Sequence, residues 1–124
     1  MTAVRSAETA DSALAEGDKM EEFCIVPSGV FYASGHIYRW FDKREPGLVR
    51  HEIFFGRANR QKSIAHGLVV FLAPQDHNMS MYGVHNFKGH EFDEHLKQLG
   101  QKVAMQYYGW SVDDFREKFG KNYL

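Results

Sequence analysis

Apolar positions form short runs of strand character up to about residue 72 and then take up helical spacing near the C-terminal end. Phe23–Val26 is a short apolar strand candidate, followed by turn chemistry at Pro27-Ser28-Gly29. Val30–Ala33 and His36–Phe41 are β-favouring runs on either side of Ser34-Gly35, a pattern that predicts a hairpin. Asp42–Gly47 is a charged loop ending in Pro46-Gly47. Leu48–Phe55 reads as a further strand closed by Gly56, and Arg57–Lys62 as a polar loop with three bases. Gly67–Leu72 carries the strongest buried-strand pattern, and Pro74 ends it. Gln75–Val84 has room for one helical turn before Gly83.

Residues 90–108 predict the clearest helix. Phe92, Leu96, Leu99, Val103 and Tyr107 recur at three- and four-residue steps, which places them on one face. Gly109 stands as a C-terminal cap. Ser111 with Asp114 marks a second helix start, in the manner of a capping box with Asp for Glu. Val112, Phe115 and Phe119 give that helix its apolar face, and Gly120 stops it. Strands followed by helices make the class α+β.

Composition adds boundaries to this picture. The chain has 124 residues, which favours one domain, and 44% apolar content means that most of it folds. Residues 1–20 contain no large aromatics and are rich in Ala, Ser, Thr, Glu and Asp, so residues 1–22 are expected to be a disordered acidic arm. That arm holds six acids and two bases, leaving ten acids against thirteen bases, +3, on the expected folded domain at 23–124. A mildly basic domain permits nucleic-acid binding without demanding it. Cys24 is alone, which excludes an internal disulfide and a multi-cysteine zinc knuckle. No apolar run approaches the roughly 20 residues of a membrane helix. No secretory signal is legible, so a cytoplasmic location in a bacterial host is expected.

Chemistry enters through the histidines. There are seven: His36, His51, His66, His77, His85, His90 and His95. His51-Glu52 lies in a strand-like run before a glycine and a basic loop. The strand Leu68–Leu72 then leads through Pro74 to His77, with His85 eight residues on. A His-bearing strand, a loop, a second strand and a His-bearing segment is the order that a strand–loop–strand–helix metal site needs. Nitrogen and oxygen donors hold a divalent ion there while positions stay open for phosphate and water. His90 and His95 read as solvated helix residues, His66 as surface or structural, and His36 as part of the hairpin.

The stretch His51-Glu52-Ile53-Phe54-Phe55-Gly56, then Asn59-Arg60, Ser63, Gly67–Leu72, Pro74 and His77-Asn78, resembles HNH endonucleases of the kind common in phages and prophages. There the pattern reads roughly His-His-Ile-Phe-Gly-Gly, Asn-Arg, Ser, a Gly-Leu-x-Val strand and Leu-Cys-Pro-x-His-His. The ending Phe119-Gly120-Lys121-Asn122-Tyr123-Leu124 also resembles the tail of those proteins, and the resemblance covers about residues 48–124. It implies a small ββα-metal (HNH-like) core, preceded by β-hairpins and followed by C-terminal helices. By position it implies His51, His77 and His85 as metal ligands. Glu52 stands where the family places its general-base histidine, so either Glu52 takes the proton from water or His51 is the base and Glu52 a ligand or orienter. Arg57, Arg60, Lys62 and Lys88 would contact the DNA backbone, which positions without reading sequence. The implied cofactor is Mg2+, or Mn2+, Zn2+ or Ni2+. No structural zinc is expected, because Pro27 and Ala73 stand where relatives carry cysteines.

Two functions of different class follow. The first is a metal-dependent DNA endonuclease or nickase of phage or mobile-element origin. The second is a degraded HNH-like protein that inhibits or recruits a nucleic-acid enzyme, with a protein partner in a defence or processing complex. A histidine-rich fold without a site is a weaker third.

Overall fold

The computed structural model describes residues 22–124, so the predicted acidic arm lies outside the described residues except for Glu22. The fold is α+β: two antiparallel strand pairs, with one short helix between the strands of the second pair and the other helices after it. Strand β1 (Gly29–Ala33) pairs with β2 (His36–Trp40), from Gly29 opposite Trp40 to Ala33 opposite His36. Ser34 and Gly35 both have positive φ, 55° and 76°. That is the two-residue turn whose twist matches a hairpin, as the sequence predicts.

Strand β3 (Val49–Glu52) pairs with β4 (Val69–Leu72), with His51 opposite Val70 and Glu52 opposite Val69. β3 is shorter than the expected Leu48–Phe55. Ser63 explains the early end: its hydroxyl accepts from the Phe54 N–H at 3.0 Å and donates to the Phe54 carbonyl at 2.7 Å. Both backbone groups that a longer strand would leave to a neighbour are thus satisfied by one buried side chain. Ser63 belongs to helix α1 (Arg60–Ala65), so the expected loop Arg57–Lys62 gives way to helix at Arg60. Arg60, Gln61 and Lys62 are straight-chain residues that lose little freedom in a helix.

The predicted strand Phe23–Val26 does not form. The Ile25 N–H bonds the Gly67 carbonyl at 2.9 Å, and the Cys24 thiol donates to the Val69 carbonyl at 3.0 Å. This segment runs beside the start of β4 without a ladder, and burial pushes the Cys24 thiol up to about 11. The two strand pairs are joined by a bridge between Phe41 and Phe71, with N–H to carbonyl bonds of 3.0 and 2.9 Å.

Helix α2 (Pro74–His77) starts with Pro at its first turn, where a missing N–H costs nothing. A loop and the 3-10 turn Phe87–Gly89 lead into α3 (His90–Tyr108) and α4 (Val112–Phe119). Gly109 and Gly120 cap these helices with left-handed φ of 74° and 87°, and the Ser111–Asp114 capping box is present.

The α3 stripe differs from its expected form. Phe92 and Leu96 are buried, but Tyr107 is exposed, and Gly100, Gln101 and Ala104 are buried in its place. The helix is covered from different sides along its length. Near its start Phe92 stacks on Tyr38 at 4.2 Å between ring centres, and His95 stacks on Phe31 at 4.1 Å. Further on, Gly100 lies against Ile53 and Phe54, and the buried Gln101 accepts from the Tyr123 N–H and donates to Asn122. His95 is therefore a half-buried packing residue, and burial lowers its pKa. His66 is structural: its Nδ1 lies 2.9 Å from the Lys62 carbonyl, and its ring meets Tyr108 and Trp110 edge-on. Among the described residues no helix is long and apolar enough to cross a membrane.

Candidate metal centre

His51 is the third residue of β3, and only 1% of it is exposed. Among the described residues neither ring nitrogen has a hydrogen-bond partner. A buried polar group without a partner costs about 1–3 kcal/mol, so a buried His51 with no partner among the described residues is suited to receive a ligand. Strand alternation puts Arg50 and Glu52 on the opposite face from His51.

His77 closes α2, immediately beyond β4. The chain then loops back to His85 along backbone bonds: Val84 N–H to the Asp76 carbonyl at 2.8 Å, and His85 N–H to the His77 carbonyl at 3.2 Å. Asn86 braces the loop from within, donating to the Asn78 and Ser80 carbonyls at 3.0 and 2.8 Å. Gly83 and Gly89 allow backbones to touch, for a Cβ on Gly89 would run into the Gly83 carbonyl.

This loop brings the two side chains together, with His85 Nε2 at 3.1 Å from His77 Nε2. The His51 ring lies 5.0 Å from that of His85 and 5.4 Å from that of His77, centre to centre. One nitrogen from each of the three lies within 4.8 Å of the others. A tetrahedral ion with bonds of about 2.0–2.1 Å separates its ligands by roughly 3.4 Å, so small side-chain adjustments suffice to close around one.

Protonation favours the same role. Burial, then the charges of His85, His77, Lys97 and Arg60, hold His51 well below the usual histidine range. His77 is lowered by burial and by His85, with Glu52 opposing. His85 is lowered by burial, with Asp93 opposing. All three rings are neutral at neutral pH, the state in which imidazole offers a lone pair to a metal.

Glu52 does not join this group. Its Oε2 accepts from Arg50 Nε at 3.0 Å and its Oε1 from Arg60 Nη1 at 2.7 Å. Of the other expected contacts, Arg57 is exposed in the turn before α1. The Lys62 ammonium donates to the Lys118 carbonyl at 2.6 Å and so ties α1 to the end of α4. Lys88 is exposed on the His85 loop, 5.5 Å from the Tyr82 ring centre. Asn59 donates to the Phe119 carbonyl at 3.1 Å.

Sequence reasoning missed Asp93 and Lys97. They pair across one turn of α3 at 2.9 Å, and Lys97 lies 4.2 Å from the centre of the Phe55 ring, which itself packs edge-on against His85. The Asp93 Oδ1 is buried without a partner among the described residues. The one available signal was the i, i+4 charge pair, which does not reveal that its helix face meets the histidines.

Comparison with family models, with curated proteins and with solved structures yields no match.

Proposed function

We propose that this chain is a metal-dependent phosphodiesterase with an HNH-like ββα-metal core, acting on DNA. The observation that carries the reading is the buried, unpartnered His51 facing the close pair His77 and His85. The succession of β3, a segment containing α1, β4 and α2 supports the reading, and the resemblance at residues 51–78 supplies the reaction class.

The donor set refines the metal. Three imidazoles suit zinc, nickel, cobalt and related ions, whereas Mg2+ prefers oxygen ligands and keeps its water. His51, His77 and His85 would hold the ion and leave positions open. When bound, such an ion supplies Lewis acidity to a phosphoryl oxygen and acidifies water without a protein base. Glu52, with both oxygens taken by arginines, is not the base in this reading. Arg57, Arg60 and Lys88 supply positive charge for the DNA backbone.

The test is nicking of supercoiled plasmid by chelator-stripped protein with Zn2+, Ni2+, Co2+, Mn2+ or Mg2+ restored in turn. Cleavage is expected with a transition ion and lost in His51→Ala and His77→Ala. Cleavage that persists in both variants, or none with any ion, overturns the reading. The occupied state of Glu52 favours a second reading, a metal-stabilised nucleic-acid or protein-binding module without turnover. Metal-loaded protein that binds DNA and leaves it intact would support that second reading.

A further inference from the structure

Phe87 and Met79 are the two most exposed large apolar side chains among the described residues, 78% and 72% in the open, and Met81 adds a third at 54%. All three stand on the loop between α2 and α3. Met79 is two residues past His77, and Phe87 is two residues past His85. Two residues of chain span at most about 7 Å, so both side chains stem from backbone within that reach of a histidine of the centre. A single exposed apolar residue is ordinary, whereas a group of them on one surface marks an interaction site.

The loop is braced so that these side chains stay outside. The Lys88 N–H bonds the Met81 carbonyl at 2.8 Å, which lays its two limbs side by side. Asn86 ties the same limbs through the carbonyls of Asn78 and Ser80, on either side of Met79. Beneath them the buried Tyr38 hydroxyl lies 2.9 Å from the Tyr82 carbonyl and 3.3 Å from the Lys88 carbonyl. Turning Met79 or Phe87 into the core would break these bonds. Charge selects the partner. Residues 77–90 hold no carboxylate, and the exposed Lys88 adjoins Phe87. An aromatic face beside a cation, with no acid near it in the chain, fits a strand whose bases are free to stack and whose phosphates are negative. An intact duplex keeps its base faces inside the stack and has none to offer.

We propose that Phe87, flanked by Met79, Met81 and Lys88, is a stacking platform for an unpaired nucleobase, which makes single-stranded or unpaired DNA the substrate class of the adjoining centre. This rests on the phosphodiesterase reading above and goes beyond it by naming the state of the strand. Phe87 supplies the ring face, the two methionines supply polarizable contact around the base, and Lys88 supplies charge for the neighbouring phosphate.

The experiment follows the fluorescence anisotropy of labelled oligothymidylate with the metal-free full chain, so that no strand is cut during binding. Three probes of equal length are compared: the single strand, the same strand paired with oligoadenylate, and a strand of abasic sites that keeps its phosphates and lacks bases. The single strand is expected to bind more tightly than the other two. Phe87→Ala is expected to weaken it roughly tenfold, the scale of one lost base stack, and to leave the abasic strand unaffected. Phe87→Trp, which keeps a ring, is expected to bind at least as well as the wild type. Phe87→Leu, which keeps apolar bulk without a ring, is expected to bind like Phe87→Ala. Zn2+ affinity is expected to be unchanged in all three variants, which separates the platform from support of His85. Unaltered single-strand binding in Phe87→Ala, tighter binding of the duplex, or Phe87→Leu matching the wild type overturns the proposal. So does loss of strand binding and Zn2+ affinity together, or Phe87-dependent binding to phosphatidylserine vesicles in place of the strand. Phe87-dependent strand binding without plasmid nicking upholds the platform and removes the phosphodiesterase reading. Plasmid nicking with strand binding indifferent to Phe87 overturns the platform and leaves that reading standing.

Discussion

His77 and His85 face each other nitrogen to nitrogen, Nε2 to Nε2 at 3.1 Å. Two imidazole nitrogens approach this closely when a proton or a metal lies between them. With both rings lowered by burial, the pair is neutral at neutral pH, and one ring donates to the other until an ion displaces that proton. Addition of Zn2+ to metal-free protein is therefore expected to shift the imidazole 15N resonances of His51, His77 and His85 together, with those of His90 unmoved. Shifts confined to His36, His66, His90 and His95 would contradict the assignment.

The metal-free protein should lose stability as pH falls. The folded pKa of His51 lies well below its ordinary value, so the unfolded chain takes up a proton at a pH where the native state does not. That contribution is fully present above about pH 6.5 and is lost as pH falls towards the folded value. The shifts at His77 and His85 have the same sign. The urea midpoint is expected to drop between about pH 7 and about pH 5, and to drop less in His51→Leu. A flat profile would contradict the burial of a neutral His51.

Replacing His51 separates stability from binding. Since neither nitrogen has a partner among the described residues, His51→Leu removes an unpaired polar group and keeps an apolar body. The metal-free variant is expected to be as stable as the wild type or more so, by up to about 1–3 kcal/mol, while metal no longer raises its melting temperature. Calorimetric melting with and without Zn2+ measures both. A large loss of metal-free stability would show that His51 has a structural partner.

The loop between α2 and α3 sets the His85 position through contacts without slack. A Cβ on Gly89 would meet the Gly83 carbonyl, and one on Gly83 would come within 2.6 Å of the His77 carbonyl. Gly89→Ala is expected to weaken metal binding by about ten- to a hundredfold, the scale seen when support behind a ligand is lost. Circular dichroism should show α3 retained. Unchanged affinity would mean that the loop adapts and is not what aims His85.

How much of this was legible in the sequence depends on how local the cause is. Ser34-Gly35 announces its hairpin, and Gly109, Ser111 and Gly120 announce helix ends, because each acts on its own neighbours. The early end of β3 was hidden because Ser63, nine residues on from Phe54, supplies the competing hydrogen bonds. The burial of Gln101 in place of Tyr107 was hidden for the same kind of reason, since the C-terminal segment at Asn122 and Tyr123 covers that side. His51, His77 and His85 were legible through their order along strands and loop, and the fold brings them together. Glu52 was not, although alternation along β3 already sends it to the face opposite His51. Its partner Arg60 is reached only once α1 folds against β3.

The most direct measurement is a calorimetric titration of chelator-stripped protein with Zn2+ at neutral pH, repeated for His51→Ala, His77→Ala and His85→Ala. A single site per chain is expected, weakened or abolished by each substitution with the fold retained. Absence of binding, or binding indifferent to all three substitutions, would contradict a metal centre built from these histidines.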